Sequence, residues 1–390
     1  MTGSTSLRYR IDEREQRLFD VGADLVGEFG RTYWRDHIRR REFPAELWAA
    51  IGERGHLATL VAEERGGTGG GLCDLALLTE GVAAAGFPML TMITGPGLAI
   101  PAIAAQGSET LRREVLPSLL AGSALVAFAI TEAVAGSNIL NVATTAEISG
   151  GEVVITGEKL YTSIADVADH IMVVARTHDP GRDRLGYTLV VVPRGLPGLW
   201  VENVDTTIAA AERQSRVTLD RVTLPVDAIV GEPAAALRVL APALSAERVL
   251  SGALSCGIGQ YCLGVARTHA LGRHLFNGPI AALQGVQHPL AEAHTTLAGA
   301  RHLVRAAALA DDDGDADAFG LANMACLAAG TAGWGAADAA LQCTGGLGYT
   351  SDGELHDMAG LARLLRSAPV NAQSALSAIG EVVLGMPRSY

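Results

Sequence analysis

The chain is short of aromatic residues, cysteine and positive charge, and each shortage excludes something. Aromatics make up 5 % of 390 residues. Alanine, glycine and leucine dominate instead, a mixture that suits closely packed helices. Thirty Lys and Arg face 42 Asp and Glu, for a net charge of -12. A nucleic-acid binder needs a basic face to neutralise phosphates. The longest basic run, Arg39-Arg40-Arg41, reads as solvated surface, so no nucleic-acid partner is expected. Five cysteines (Cys73, Cys256, Cys262, Cys326 and Cys343) include no C-x-x-C pair. Their odd number argues against a disulfide framework and for a reducing, cytoplasmic setting. The N-terminus lacks the apolar stretch of a signal peptide. No G-x-G-x-x-G occurs, so a nucleotide cofactor would have to be held without that fingerprint. His269, His274, His288, His294 and His302 form no pair with metal-site context, and no metal is expected.

Two long stretches carry no charge. Residues 81–108 are broken by Pro88, Pro96 and Pro101, and residues 318–337 hold Gly320, Gly330, Gly333 and Gly335. A spanning helix needs ~20 strongly apolar residues. Both stretches read as buried segments, and no membrane partner is expected; a helix apolar on all sides sits inside a bundle or an interface.

What is present falls into three textures. Residues 11–57 show apolar spacing of three and four, with Pro44 at a helix start. After the glycine cluster Gly66-Gly-Thr-Gly-Gly-Gly71, helical text resumes from about Asp74 to Leu120. From Ser123 to Gly231, β-branched runs alternate with turn signals: 153–155, 171–174, 188–192 and 216–219. From Ala234 onward the text is helical again, with an exposed turn at Asp311–Asp315. The expectation is an α+β chain with an N-terminal all-α domain (1–122), a middle antiparallel β-domain (123–232) and a C-terminal helical, four-helix-bundle domain (233–390).

Two segments carry chemistry. Phe128-Ala-Ile-Thr-Glu-Ala-Val-Ala-Gly-Ser-Asn138 reads on composition as a strand entering a loop. The same residues can cradle a flavin: backbone amides reach the pyrimidine edge, Thr131 adds a hydroxyl, and the Gly136-Ser137 turn allows close approach. In Gly157-Glu-Lys-Leu-Tyr-Thr-Ser163, Tyr161 offers a ring for stacking and Ser163 a hydroxyl.

In this order and about twenty residues apart, the two segments resemble the acyl-CoA dehydrogenase family. The resemblance extends along nearly the whole chain, through Glu63–Gly70, Val217–Pro225, Gly272–Gln287 and Gln342-Cys-Thr-Gly-Gly-Leu-Gly-Tyr349. It implies FAD as cofactor and a role for each matching residue. Phe128, Ile130 and Thr131 would line the flavin ring. Gly136 and Ser137 would lie where flavin and thioester meet. Tyr161 stands for the family's Trp, and Ser163 for the Thr that bonds flavin N5. Arg273 would meet the pyrophosphate of a neighbouring subunit's FAD; it also suits a helix C-terminal cap, since Asn277-Gly278-Pro279 follows. Phe276 and Gln284 would flank the adenosine end. Gln342, Gly345 and Gly346 would close over the cofactor across a dimer interface. A homodimer or homotetramer is implied.

The reaction needs a carboxylate to take the α-proton of an acyl thioester. The family's usual segment corresponds here to Ala368-Pro369-Val370-Asn371, which has no Glu; Gly360-Leu361 stands where the family has Arg-Asp. A second family position matches Leu244-Ser-Ala-Glu247-Arg248, making Glu247 the expected base and Arg248 a substrate or fold contact. The competing account of Glu247 is a first-turn Glu favoured by the helix dipole. Asp352, Glu354, Asp357 and Glu381 match no base position. Cys256 and Cys262 read as small core residues.

The expected activity is FAD-dependent α,β-dehydrogenation of an acyl-CoA or acyl-carrier-protein thioester in a specialised biosynthetic pathway. Electrons would pass to an electron-transfer flavoprotein or to oxygen. A flavin monooxygenase and a non-catalytic thioester-binding homologue remain as alternatives.

Overall fold

The computed structural model describes residues 12–179, 184–350, 352 and 354–388. Seven helices come first: α1 (Glu13–Arg40), α2 (Ala45–Glu53), α3 (Leu72–Ala84), α4 (Thr91–Thr94), α5 (Ile100–Gln106), α6 (Glu109–Glu114) and α7 (Leu116–Leu120). The strands follow: β1 (Val126–Ala129), β2 (Thr145–Ser149), β3 (Glu152–Ser163), β4 (His170–Asp179), β5 (Arg184–Pro193), β6 (Leu199–Val204), β7 (Gln214–Pro225) and β8 (Ile229–Val230). Then come α8 (Ala236–Gly272), α9 (Gln284–Asp312), α10 (Ala318–Thr344), α11 (Leu355–Leu364) and α12 (Ala372–Ala378), with a small hairpin, β9 (His274–Leu275) and β10 (Gly278–Pro279), after α8. The order is helical, β, helical, as the textures of the sequence indicate.

The described residues divide into two compact units. One holds α1 up to Asp36, Gly71–Met89 and the chain from Arg248 onward; the other holds His37–Gly70 and Leu90–Glu247.

The second unit is built on one sheet, in the order β6-β7-β3-β2-β4-β5-β8 with β1 beside β4. It is antiparallel except where β1 and β2 meet β4 in parallel. In central β4, Ile171 to Ala175 are all buried, which explains why 171–174 reads as a continuous apolar run rather than an alternation. Strand β3 pairs with β7 through two irregularities, at Ile155/Gly157 and Lys159/Thr162. The second of these carries Tyr161, at φ 54.

The first unit is helical. Every residue of α3 from Leu72 to Ala83 is buried. Alanine and glycine let the helices approach: a Cβ on Gly22 of α1 would lie 2.6 Å from the carbonyl carbon of Gly81 on α3. Two carboxylates enter this interior paired. Asp74 takes Arg14 at 2.7 Å, and Glu80 takes Arg301 and the Gln260 amide. Burial pushes the Glu80 carboxyl up, against the pull of Arg301.

Of the described helices, α8 alone is long and apolar enough to cross a membrane by length and composition. Its most apolar window has mean hydropathy 1.4, and 72 % of that window is buried inside the chain, as in the core helix of a bundle.

Candidate functional site

The sheet unit places seven of the expected residues along two neighbouring segments. Phe128 is half-buried on β1. Ile130 and Thr131 follow it and are tied to β3 by their carbonyls, which accept from Lys159 Nζ at 3.1 Å and from the Leu160 amide at 2.8 Å. The segments quoted from the sequence are thus adjacent in space. Ser163 ends β3, where its hydroxyl exchanges hydrogen bonds with the Gln214 amide of β7 at 2.9–3.2 Å. Tyr161 is 60 % exposed. The β3 irregularity and its positive φ turn it outward, as bulges commonly re-aim a side chain. Gly136 and Ser137 are exposed in the loop after β1, and a Cβ on Gly136 would meet nothing within 4 Å.

What shapes this loop are two residues of the same motifs to which sequence reasoning gave no role. Glu132 and Lys159 form a buried ion pair at 2.7 Å. The Glu132 carboxylate also accepts from the Ala143 amide (2.6 Å), the Thr144 amide (3.0 Å) and the Thr144 hydroxyl (2.6 Å). It therefore gathers both ends of the loop onto β3. Its backbone closes a tight turn with Ala135, through two bonds of 3.1 Å. Burial pushes the Glu132 carboxyl up, but the bonds from Lys159, Thr144 and Ala143 outweigh it and leave the group below its ordinary value. Burial lowers the Lys159 ammonium to about 8, partly offset by Glu132. Both therefore carry charge at neutral pH. Gly157 is required beside them, because a Cβ there would lie 2.6 Å from Thr144 Cα. The signal in the sequence was a Glu and a Lys at fixed places in two apolar-flanked motifs; their partnership needed the fold.

The bundle unit places the second group. Gln342 lies on α10, and Gly345 and Gly346 open the 3-10 turn Gly345–Tyr349 that follows it. Neither glycine has anything within 4 Å of its Cβ position. Helix α8 ends at Gly272, so Arg273 stands just beyond it, its amide closing the last turn onto the His269 carbonyl at 2.8 Å. Phe276 sits in the tip of the β9–β10 hairpin at φ 57 and is 87 % exposed. Gln284 begins α9. All six are exposed in the single chain.

Glu247 requires a correction. It does not stand in a first turn: α8 begins at Ala236, about three turns earlier, and passes through Pro242. A dipole role is confined to the terminal turn, so that account of Glu247 falls away. The side chain is half-buried. Arg248 points into the bundle, where its Nε donates to Asn323 Oδ1 at 2.8 Å and its guanidinium lies 4.9 Å from the Phe319 ring. Those contacts belong to packing. Pro369 precedes buried Val370, and the segment offers no carboxylate. Cys256 and Cys262 are buried in α8, as small core residues are.

A surface cleft of about 380 Å³ also lies in the sheet unit, lined by His37, Arg41, Glu42, Asp166 and Arg213 among others. Its arginines are already engaged: Arg41 with Asp205 at 3.0 Å, and Arg213 with the Arg40 and Arg41 carbonyls. None of the expected site residues lines it.

Comparison with known proteins bears on the whole chain. Family models described as the N-terminal, middle and C-terminal domains of acyl-CoA dehydrogenase match residues 12–123, 127–222 and 237–374. The acyl-CoA dehydrogenase FadE12 of Mycobacterium tuberculosis (strain ATCC 25618 / H37Rv) is 38 % identical, over 99 % of this chain and all of its own length. Glutaryl-CoA dehydrogenase of Desulfococcus multivorans is 30 % identical over 82 % of this chain and 81 % of its own. Among solved structures, a glutaryl-coenzyme A dehydrogenase in complex with glutaryl-CoA superposes with TM-score 0.90 at 25 % identity, covering 98 % of both chains. Butyryl-CoA dehydrogenase from Megasphaera elsdenii has the same fold, at TM-score 0.88, 21 % identity, and 96 % and 99 % coverage. The chain belongs to the acyl-CoA dehydrogenase family, FAD-dependent oxidoreductases that act on CH–CH bonds.

Proposed function

We propose that the chain dehydrogenates an acyl thioester between its α and β carbons, with Glu247 as the base. The observation that carries this reading is the position of Glu247: a half-buried carboxylate well inside a long helix, with no terminal dipole to account for it. A carboxylate is the kind of side chain that takes a proton as a general base.

The residues of the sheet unit fit a flavin. Tyr161 presents an outward ring, Thr131 and Ser163 present hydroxyls, and Gly136 leaves backbone accessible. When bound, FAD supplies a hydride acceptor. The chain's own part is to hold the ring against Phe128, Ile130 and Tyr161, to keep the Ser137 turn open for the thioester, and to place a carboxylate at the α-proton. Arg248 serves this indirectly, by fixing the helix that carries Glu247 onto α10 through Asn323 and Phe319.

The exposed Arg273, Phe276, Gln284, Gln342, Gly345 and Gly346 fit a cofactor shared with a second copy, hence a homodimer or a dimer of dimers. Holding a large exposed aromatic at positive φ costs a single chain free energy, and a partner surface gives it a use. The same reading takes the enzyme as cytoplasmic, from its five cysteines without a C-x-x-C pair, and as acting on a CoA or carrier-protein thioester of a specialised biosynthetic route, since Ala368-Pro369 and Gly360-Leu361 replace the usual base segment and Arg-Asp.

Anaerobic titration of the flavin-loaded protein with acyl-CoA and acyl-carrier-protein thioesters tests this. At least one thioester bleaches the flavin absorption. Flavin that no thioester bleaches, but that oxygen reoxidises rapidly after reduction by a reductase, would transfer the assignment to a monooxygenase.

A further inference from the structure

Glu354 has no counterpart in the reaction, yet it is among the most heavily engaged carboxylates of the bundle unit. It precedes α11 at φ 55 and is buried. Its carboxylate accepts from Arg31 of α1 and from the Tyr261 hydroxyl of α8 at 2.8 Å, and Arg35 Nε lies 3.2 Å away. Arg31 is fixed in turn. It donates to the Gly86 carbonyl, and its guanidinium lies 4.9 Å from the Tyr261 ring and 5.3 Å from Phe87. Just before Arg31, α1 breaks at Gly30, with φ 74, which re-aims the turn that carries both arginines. Two helices, α1 and α8, therefore converge on one carboxylate at the start of α11.

That start is separated by only a few residues from the Gly345–Tyr349 turn. The turn has two anchored ends: α10, which runs directly into it, and α11, held by Glu354. Between them Gly348 is buried beside Thr344 and Leu341 of α10, and the Tyr349 ring lies 5.6 Å from His356 of α11, so the turn's far end rests on α11; Gly345 and Gly346 have no packing of their own, and their path depends on those two ends.

We propose that Glu354 is a positioning residue for the Gly345–Tyr349 turn, clamping the start of α11 to α1 and α8 so that Gly345 and Gly346 meet the FAD. This rests on the proposed role of that turn at the cofactor. A glutamine keeps the shape but removes the charge that binds two guanidiniums, and the turn loses one anchor.

FAD affinity is measured by fluorescence quenching on the full-length protein, with apo and holo melting temperatures, for wild type, Glu354→Gln and Tyr261→Phe. Glu354→Gln weakens FAD about tenfold or more, as displacement of a binding element does. The gap between holo and apo melting narrows accordingly. Tyr261→Phe, which removes one of the bonds and keeps the ring against Arg31, has a smaller effect in the same direction. A Glu354→Gln protein that melts lower in both forms by the same amount, with unchanged FAD affinity, overturns the inference and shows a purely structural clamp. Wild type that binds no FAD overturns the role of the turn itself, and with it the inference.

Discussion

In the sheet unit the motif residues are held from within. Glu132 and Lys159 sit under the loop, and five bonds to the carboxylate and its partner fix Ile130 through Thr144. In the bundle unit Arg273, Phe276, Gln342, Gly345 and Gly346 stand exposed, held through backbone and helix ends. A cradle braced by buried charge keeps its shape in an isolated chain. A surface of exposed arginine, aromatic and glycine takes its meaning from what binds to it. Damage should therefore act on folding in the first region and on binding in the second.

The largest expected effect is on the brace. Lys159→Met leaves Glu132 as an uncompensated buried charge and costs about 3–5 kcal/mol in urea denaturation. Adding Glu132→Gln should recover part of that loss, because the two share one interaction. A double variant no better than the single would remove the ion pair from the account.

Arg273→Ala should do the reverse. Its side chain is exposed, so unfolding changes by less than about 0.5 kcal/mol. FAD affinity should fall by about 1.5–3 kcal/mol if the guanidinium meets phosphate. Equal FAD affinity in wild type and variant would leave Arg273 with only its place at the end of α8.

Gly157→Ala returns to the brace at smaller scale. The added Cβ presses on Thr144, which is itself bonded to Glu132, and overpacking of this kind costs about 1–3 kcal/mol. Thermal melting of the variant measures it.

The smallest effect is a difference in pH dependence between two buried carboxylates of the sheet unit. Glu132 is held below its ordinary 4.5, so its stabilisation is present above that pH and is lost as pH falls through the folded value. Glu212, bonded by the Leu90 and Thr91 amides and the Thr91 hydroxyl, is raised by burial. Between 4.5 and its folded value the native chain binds the extra proton, so its contribution falls as pH rises. Denaturation between about pH 4 and about pH 7 should show Glu132→Gln costing more at the higher pH and Glu212→Gln costing more at the lower. Parallel trends would mean that one of the two environments is misassigned.

Much of the fold was legible because the local patterns are strong. The runs at 153–155, 171–174, 188–192 and 216–219 lie in β3, β4, β5 and β7. The parallel placement of β1 and β2 beside β4 was not legible, since pairing partners leave no mark in one strand's own text. The division of the N-terminal helices between two compact units is likewise a matter of tertiary contact. At the site, the two motifs could be read and their adjacency expected. The Glu132–Lys159 pair could not, because a charged residue in a strand reads as a solvated one until its neighbours are known. For Glu247, the account of a first-turn residue does not hold, because α8 begins at Ala236 and runs through Pro242, a continuity that the local text alone does not show.

The measurement that bears most directly on the proposed chemistry is single-turnover anaerobic bleaching by the best thioester, comparing wild type with Glu247→Gln. If Glu247 takes the α-proton, the variant should still bind thioester but bleach about 10²–10⁴-fold more slowly. Equal rates in the two proteins would contradict the assignment of Glu247 as the base.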